Sequence, residues 1–205
     1  LVNPMCGSGT LAIEAALIAQ RRAPGLLRNN FGLMHIKNFD RERWQALRGE
    51  VAANARKQMP ARIIASDIDE NALSVAKKNA QTAGVDRVSD FHVCDIADTP
   101  LPQPPGMIML YPEYGVRMGK EKELGPLYKS IGDFFKQKCA GFTGYVLTGN
   151  LAMAKQVGLR TIRRLVFFNA KIECRLLEYP LYEGSKTAGP DPDAGEKKQG
   201  KDYKE

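Results

Sequence analysis

Two stretches of this chain carry residue types at spacings suited to chemistry. The first is Asn3-Pro4-Met5-Cys6-Gly7-Ser8-Gly9-Thr10, followed by the apolar run Leu11 to Ala19. Glycines at 7 and 9 let a backbone approach a ligand with no Cβ in the way, and a helix starting near Thr10 offers unpaired N–H groups. The loop is expected to cradle a cofactor. It lacks the Lys-Ser/Thr of a phosphate-binding loop and the third glycine of a dinucleotide fingerprint, and an ordinary strand-to-helix turn shares its pattern. The second stretch, Tyr111-Pro112-Glu113-Tyr114, follows the apolar segment 107–110 and offers in Tyr114 a ring suited to stacking on a flat substrate. Between them, Asp67 and Asp95 each close a strand-like segment. An acid at the end of the second strand of a doubly wound sheet accepts hydrogen bonds from ribose hydroxyls, whereas Asp69 reads as a helix cap.

The elements that must position these residues alternate. A strand ending near Asn3 leads into a helix over 10–22, apolar on most faces and so expected to be covered on both sides. Pro24-Gly25 ends it, and residues 26–39 form a loop in which His35 stands alone as a structural or exposed residue. Asp40 caps a helix over 41–58 with Trp44, Leu47 and Val51 at helical spacing. A strand at 62–66, a helix over 70–83 closed by Gly84, a strand at 89–94 and a strand at 107–110 follow. The helix over 126–139 carries Leu127, Ile131, Phe134 and Phe135 on one face as core residues. A strand at 144–148, a short helix at 151–157, and strands 161–168 and 171–179 around a turn at Asn169-Ala170 complete the chain. Ile172, Cys174 and Leu176 alternating with Glu173 and Arg175 predict one wet face on the last strand. The sum is an α/β, doubly wound, Rossmann-like sheet closed by a C-terminal antiparallel β-hairpin.

Composition narrows the function. Residues 184–205 lack Leu, Ile, Val, Phe and Met and carry five Lys against five acidic residues, so a domain over 1–183 with a disordered polar tail at 184–205 is expected. The whole net charge of +7 then falls on the domain, which suits a polyanionic partner or a solvated basic surface. Arg160, Arg163 and Arg164, at the entrance to the hairpin, suit RNA phosphates or plain exposure. Cys6, Cys94, Cys139 and Cys174 form no C-x-x-C pair and the histidines are only His35 and His92, so no metal site is expected. Buried free thiols, with no signal peptide and no membrane-length apolar run, suit a cytoplasmic protein with no membrane partner. The chain opens on Leu1 rather than Met, almost at its cofactor loop, and reads as a fragment with an upstream part missing.

The layout resembles a class I S-adenosylmethionine-dependent methyltransferase. More narrowly, Asn-Pro-Met-Cys-Gly-Ser-Gly-Thr-Leu-Ala-Ile-Glu-Ala-Ala with the later Arg-Ala-Pro-Gly-Leu resembles the THUMP-containing RNA methyltransferases. Members of that family methylate the exocyclic amine of a guanine in 23S ribosomal RNA. The resemblance implies S-adenosylmethionine as cofactor, ribosomal RNA as partner and an upstream THUMP-type RNA-binding module. It implies that Asn3, Pro4, Cys6, Gly7 and Gly9 line the methionine end, that Asp67 with Ile68 holds the ribose, and that Asp95 with Ile96 meets the adenine. Tyr111, Pro112, Glu113 and Tyr114 would be the catalytic motif, which in the family reads Asn-Pro-Pro-Tyr. There the Asn oxygen and the first Pro carbonyl accept the two amine hydrogens, aiming the lone pair at the methyl while the aromatic ring holds the base.

This chain departs from the pattern at three positions. Asn3 stands where many relatives have Asp, Tyr111 where the acceptor Asn is expected, and Glu113 where the second Pro usually stands. A phenol is longer than an amide side chain and cannot keep the same reach. Glu113 is a candidate for the missing acceptor. Three other readings remain: a non-catalytic relative that binds cofactor or RNA, an adenine-specific DNA methyltransferase, and a cysteine-nucleophile RNA methyltransferase, though the motif at 111–114 holds no Cys.

Overall fold

Alternating strand and helix patterns demand parallel pairing with crossovers, and that is how the chain is built. The computed structural model describes residues 1–56, 59, 62–115 and 121–182; the tail at 184–205 lies outside the described residues. The strands are β1 (Val2–Pro4), β2 (Ile63–Asp67), β3 (Ser89–Val93), β4 (Gly106–Leu110), β5 (Phe142–Thr148), β6 (Arg163–Asn169) and β7 (Ile172–Pro180). They form one sheet in the order β3-β2-β1-β4-β5-β7-β6. β1 to β5 run parallel, and β7 lies antiparallel between β5 and β6. The winding direction reverses between β1 and β4, and sheets of this kind take their ligands in a crevice at the C-terminal strand ends beside such a reversal. The α/β class and the closing hairpin are as the sequence implies.

Helices α1 (Thr10–Ala19), α2 (Arg41–Ala53), α3 (Glu70–Ala83), α4 (Glu121–Lys138) and α5 (Leu151–Ala154) connect the strands. Strand periodicity divides the core between the two sheet faces. Ile63 and Ala65 of β2 pack with Ala12, Ile13 and Ala16 of α1, whereas Ile64 joins Ile108, Leu110, Tyr128, Ile131 and Phe135. Asp40 and Asp69 cap α2 and α3 through the N–H groups of Arg43 and Asn71, and Gly84 closes α3 in the left-handed region. Gly132 lets α4 meet the backbone of the 3-10 turn Lys155–Val157, because a Cβ there would stand 2.0 Å from the Val157 carbonyl oxygen.

Several expectations are corrected. α1 stops at Ala19, and its outer face is open among the described residues, with Ile18 74% exposed. α2 ends at Ala53 and buries no residue; Trp44 contacts Phe31 and Phe39 instead, and residues 57 and 58 lie outside the described ones. α4 begins at Glu121, upstream of Pro126, and Tyr128 takes the fully buried place expected for Leu127, which is half-buried. The Tyr128 hydroxyl meets Thr148 Oγ1 at 2.6 Å, so the buried phenol stays hydrogen-bonded. β5 starts at Phe142 rather than 144. β7 has no continuous wet face: Leu177 and Tyr179 are buried on the same side as Glu173 and Arg175, since that side turns into the core beyond Arg175. Among the described residues no helix is long and apolar enough to cross a membrane.

Candidate active site

The crevice begins in the loop after β1. Met5, Gly7 and Gly9 all take positive φ, at 53°, 54° and 83°, which tightens the turn into α1. The Cys6 N–H donates to the Ser66 carbonyl at 2.9 Å and the Gly9 N–H to the Cys6 carbonyl at 2.9 Å. The loop is thereby tied to β2. The two glycines do different jobs. A Cβ on Gly7 would meet nothing within 4 Å, so space stands open beside it, whereas one on Gly9 would press Ala76 Cβ of α3 at 2.9 Å. Gly7 faces room for a ligand, and Gly9 is required for helix packing.

Asp67 ends β2 with both oxygens engaged. Oδ2 accepts the Gly7 N–H at 2.8 Å and Oδ1 the Asp69 N–H at 3.0 Å. A carboxylate offers about four acceptor sites, so capacity for ribose hydroxyls remains. Ile68 beside it is 72% exposed, an apolar side chain left bare at the crevice edge. Asp95 caps a 3-10 turn by accepting the Ala97 N–H at 2.8 Å. Ile96 differs from its sequence expectation: its side chain is buried in the core, so only its backbone can reach a ligand.

Asn3 joins the two halves of the site. Its Nδ2 donates to the Met109 carbonyl of β4 at 2.8 Å. The side chain is 1% exposed, and its Oδ1 is buried with no hydrogen-bond partner among the described residues. A buried acceptor left unmade is costly, and at a crevice it suits a ligand donor such as an ammonium. Open room at Gly7, the orphan oxygen of Asn3, the acid Asp67 and bare Ile68 together fit an aminoacyl nucleoside. Burial, then the nearby Asp67 charge, pushes the Cys6 thiol up to about 12, so it is no nucleophile at neutral pH.

The motif Tyr111 to Tyr114 follows directly on β4. Pro112 is buried, Glu113 is exposed and Tyr114 is half-buried. The Tyr111 and Tyr114 hydroxyls lie 2.9 Å apart, with ring centroids at 5.6 Å. The Tyr114 ring lies over Gly149, where a Cβ would come within 2.9 Å, and Asn150 Nδ2 donates to the Tyr114 carbonyl at 3.4 Å. Partial burial, then the hydrogen bond with Tyr114, pushes the Tyr111 phenol up to about 12, so it stays protonated in ordinary buffers. Asn169, at the end of β6, donates from Nδ2 to both phenols, at 3.1 and 3.2 Å. Sequence reasoning gave Asn169 a turn role alone, and no sequence signal links it to Tyr111. Tyr111 and Asn169 border a cavity of about 400 Å³ walled by Met109, Leu147, Cys174 and Leu176. Of the arginines at the hairpin entrance, Arg163 pairs with Glu178 at 2.7 Å. Arg160 and Arg164, with Lys155 and Arg175, border a second cavity of about 630 Å³.

The chain is similar to known proteins over most of its length. A ribosomal RNA large subunit methyltransferase K/L of Shewanella sp. strain W3-18-1 is 36% identical over 188 residues, which are 90% of this chain and 26% of that protein. The crystal structure of SMU.472 complexed with SAH matches with a TM-score of 0.80 at 25% identity, covering 91% of this chain and 48% of that one. A predicted N6-adenine-specific DNA methylase from Listeria monocytogenes str. 4b F2365 matches with a TM-score of 0.77 at 30% identity, covering 87% and 45%. The chain thus spans less than half the length of each of these three proteins. Its residues 1–178 match the methyltransferase domain described as RMKL-like, and the chain belongs to that family.

Proposed function

We propose that this chain is the S-adenosylmethionine-dependent catalytic part of a cytoplasmic RNA methyltransferase that modifies the exocyclic amine of a guanine in 23S ribosomal RNA. A THUMP-type module elsewhere in the whole protein would select the RNA. The observation that carries this reading is the Asn3–Met109 hydrogen bond, which holds the cofactor-loop strand beside the strand that delivers Tyr111 to Tyr114. When bound, S-adenosylmethionine supplies an electrophilic methyl on a sulfonium. Asn3, Pro4, Cys6 and Gly7 would line its methionine end, with Gly9 holding their loop in place. Asp67 would accept from the ribose, and Ile68, Asp95 and the Ile96 backbone would flank the adenine. Tyr114 presents a ring face to the base, and Pro112 and Glu113 carry the motif backbone around it. The arrangement works by positioning and needs no covalent enzyme intermediate. The basic cavity bordered by Lys155, Arg160, Arg164 and Arg175 supports a polyanionic substrate.

The test is incorporation of labelled methyl by the whole protein carrying this chain, with unmodified 23S ribosomal RNA and with DNA, followed by nucleoside analysis. N2-methylguanosine in RNA is the expected product. N6-methyladenine in DNA would favour the second reading, which the Listeria likeness supports. Tight binding of S-adenosylhomocysteine with no transfer to either polymer would mark a silent relative.

A further inference from the structure

Resting on the reading above that the substrate is an exocyclic amine, we propose that Asn169 supplies the side-chain acceptor that position 111 lacks. Asn169 lies 58 residues from Tyr111 in the chain, yet its amide closes a triangle with the two phenols, whose edges are 2.9, 3.1 and 3.2 Å. The register of the hairpin fixes it there. Asn169 is the last residue of β6, pairing with Ile172 of β7, and Ala170 turns the chain with φ of 53°.

The polar atoms of the triangle set the direction of the amide. Each phenol has one proton, and the Tyr111–Tyr114 bond uses one of the two. With Nδ2 inward, its two hydrogens serve both phenol oxygens and all three contacts are satisfied. With Oδ1 inward, a single phenol proton would have to serve two contacts. Nδ2 therefore faces the phenols, and Oδ1 is turned away from them. Among the described residues Oδ1 accepts no hydrogen bond. Asn169 and Tyr111 border the 400 Å³ cavity, whose other walls are apolar. Its size is that of small-ligand sites, and its composition suits a flat heterocycle entering with its polar edge toward the amide.

An amine held beside Tyr111 and Tyr114 donates one hydrogen to Asn169 Oδ1, which fixes its orientation and leaves its lone pair aimed at the methyl. That lone pair forms the N–CH₃ bond while the C–S bond breaks and its electron pair passes to sulfur. The methylated nitrogen then releases one proton to water. Tyr111 and Tyr114 act as positioning residues, because they hold the amide by its nitrogen.

Two measurements on the whole protein test this. In methyl transfer to ribosomal RNA, Asn169→Ala is expected to lower kcat about 100-fold, the order seen on removal of one preorganised hydrogen-bonding group, with S-adenosylhomocysteine affinity unchanged. Adding Tyr111→Asn to that variant is expected to restore kcat to within about tenfold of native. A kcat within threefold of native in Asn169→Ala, or a loss that Tyr111→Asn leaves unrepaired, overturns the proposal. In the protein loaded with S-adenosylhomocysteine, guanosine is expected to bind about tenfold more tightly than inosine, which lacks only the amine. Asn169→Ala should remove the difference. Equal binding of the two nucleosides by the native protein also overturns the proposal. A native protein that distinguishes the nucleosides through Asn169 yet transfers no methyl refutes the catalytic reading while leaving the acceptor assignment standing.

Discussion

The Gly7 N–H donates to Asp67 Oδ2 at 2.8 Å across 60 residues of chain, so the glycine loop after β1 and the end of β2 form one unit. Asp67→Ala leaves the N–H groups of Gly7 and Asp69 without their acceptor. The expected result is a stability loss of about 1 to 3 kcal/mol together with weaker S-adenosylhomocysteine binding. Urea unfolding and calorimetric titration read the two effects. Unchanged affinity would remove Asp67 from the cofactor site.

Alanine at the two loop glycines should separate binding from folding. Both substitutions impose a left-handed conformation that costs an L-residue about 1 to 2 kcal/mol. At Gly7 the new methyl meets no protein atom within 4 Å, so the further loss should appear as reduced affinity for S-adenosylhomocysteine. At Gly9 the methyl would press Ala76, adding about 1 to 3 kcal/mol of overpacking. Gly9→Ala is therefore expected to have the lower urea midpoint of the two, and equal midpoints would contradict this division of roles.

Helix α4 offers a sharper contrast on one element. A Cβ on Gly132 would stand 2.0 Å from the Val157 carbonyl oxygen, whereas one on Gly125 meets nothing within 4 Å. Gly132→Ala should fail to fold or lose more than about 3 kcal/mol. Gly125→Ala should change stability by less than about 1 kcal/mol, because the smaller loss of backbone freedom of alanine is opposed by the crowding of its Cβ against Pro126 in the helical conformation. Thermal unfolding of the two variants checks the contrast.

Alkaline pH should loosen the protein before it ionises the site. Burial is the leading cause that pushes Cys6, Cys139, Tyr111 and Tyr179 up to about 12. The folded state therefore holds these protons when the unfolded chain has released them, above about pH 9 for thiols and 10 for phenols. Their contribution to stability is complete below those values and is lost as pH rises toward 12. The urea midpoint should fall between pH 9 and 11. At pH 8, iodoacetamide should leave Cys6 and Cys139 unmodified in native protein, as mass spectrometry would show. Rapid alkylation of Cys6 would reopen the cysteine-nucleophile reading.

Much of the fold was legible because its signals are local. The caps Asp40 and Asp69, the stop at Gly84 and the tight loop at Gly7 and Gly9 depend on backbone geometry within a few residues. Helix ends and faces were less legible where tertiary packing decides them. Ile18 looks like a core residue by its neighbours, yet no element among the described residues covers it. Tyr128 rather than Leu127 is fully buried, since Thr148 of β5 offers its hydroxyl a partner that sequence spacing cannot reveal.

The amino-acid sequence by itself determined the alternating strands and helices, the glycine loop and the acids that follow β2 and β3, because each rests on periodicity or turn chemistry read over short spans. Only the tertiary structure decided which of these residues meet. Asn3 reaches Met109 because β1 and β4 are neighbours at the reversal of winding. Asn169 reaches Tyr111 and Tyr114 because β7 pairs with β5 and carries β6 with it. Strand order and register are set by long-range pairing, whose partners are far apart in the chain and leave no local mark on either residue.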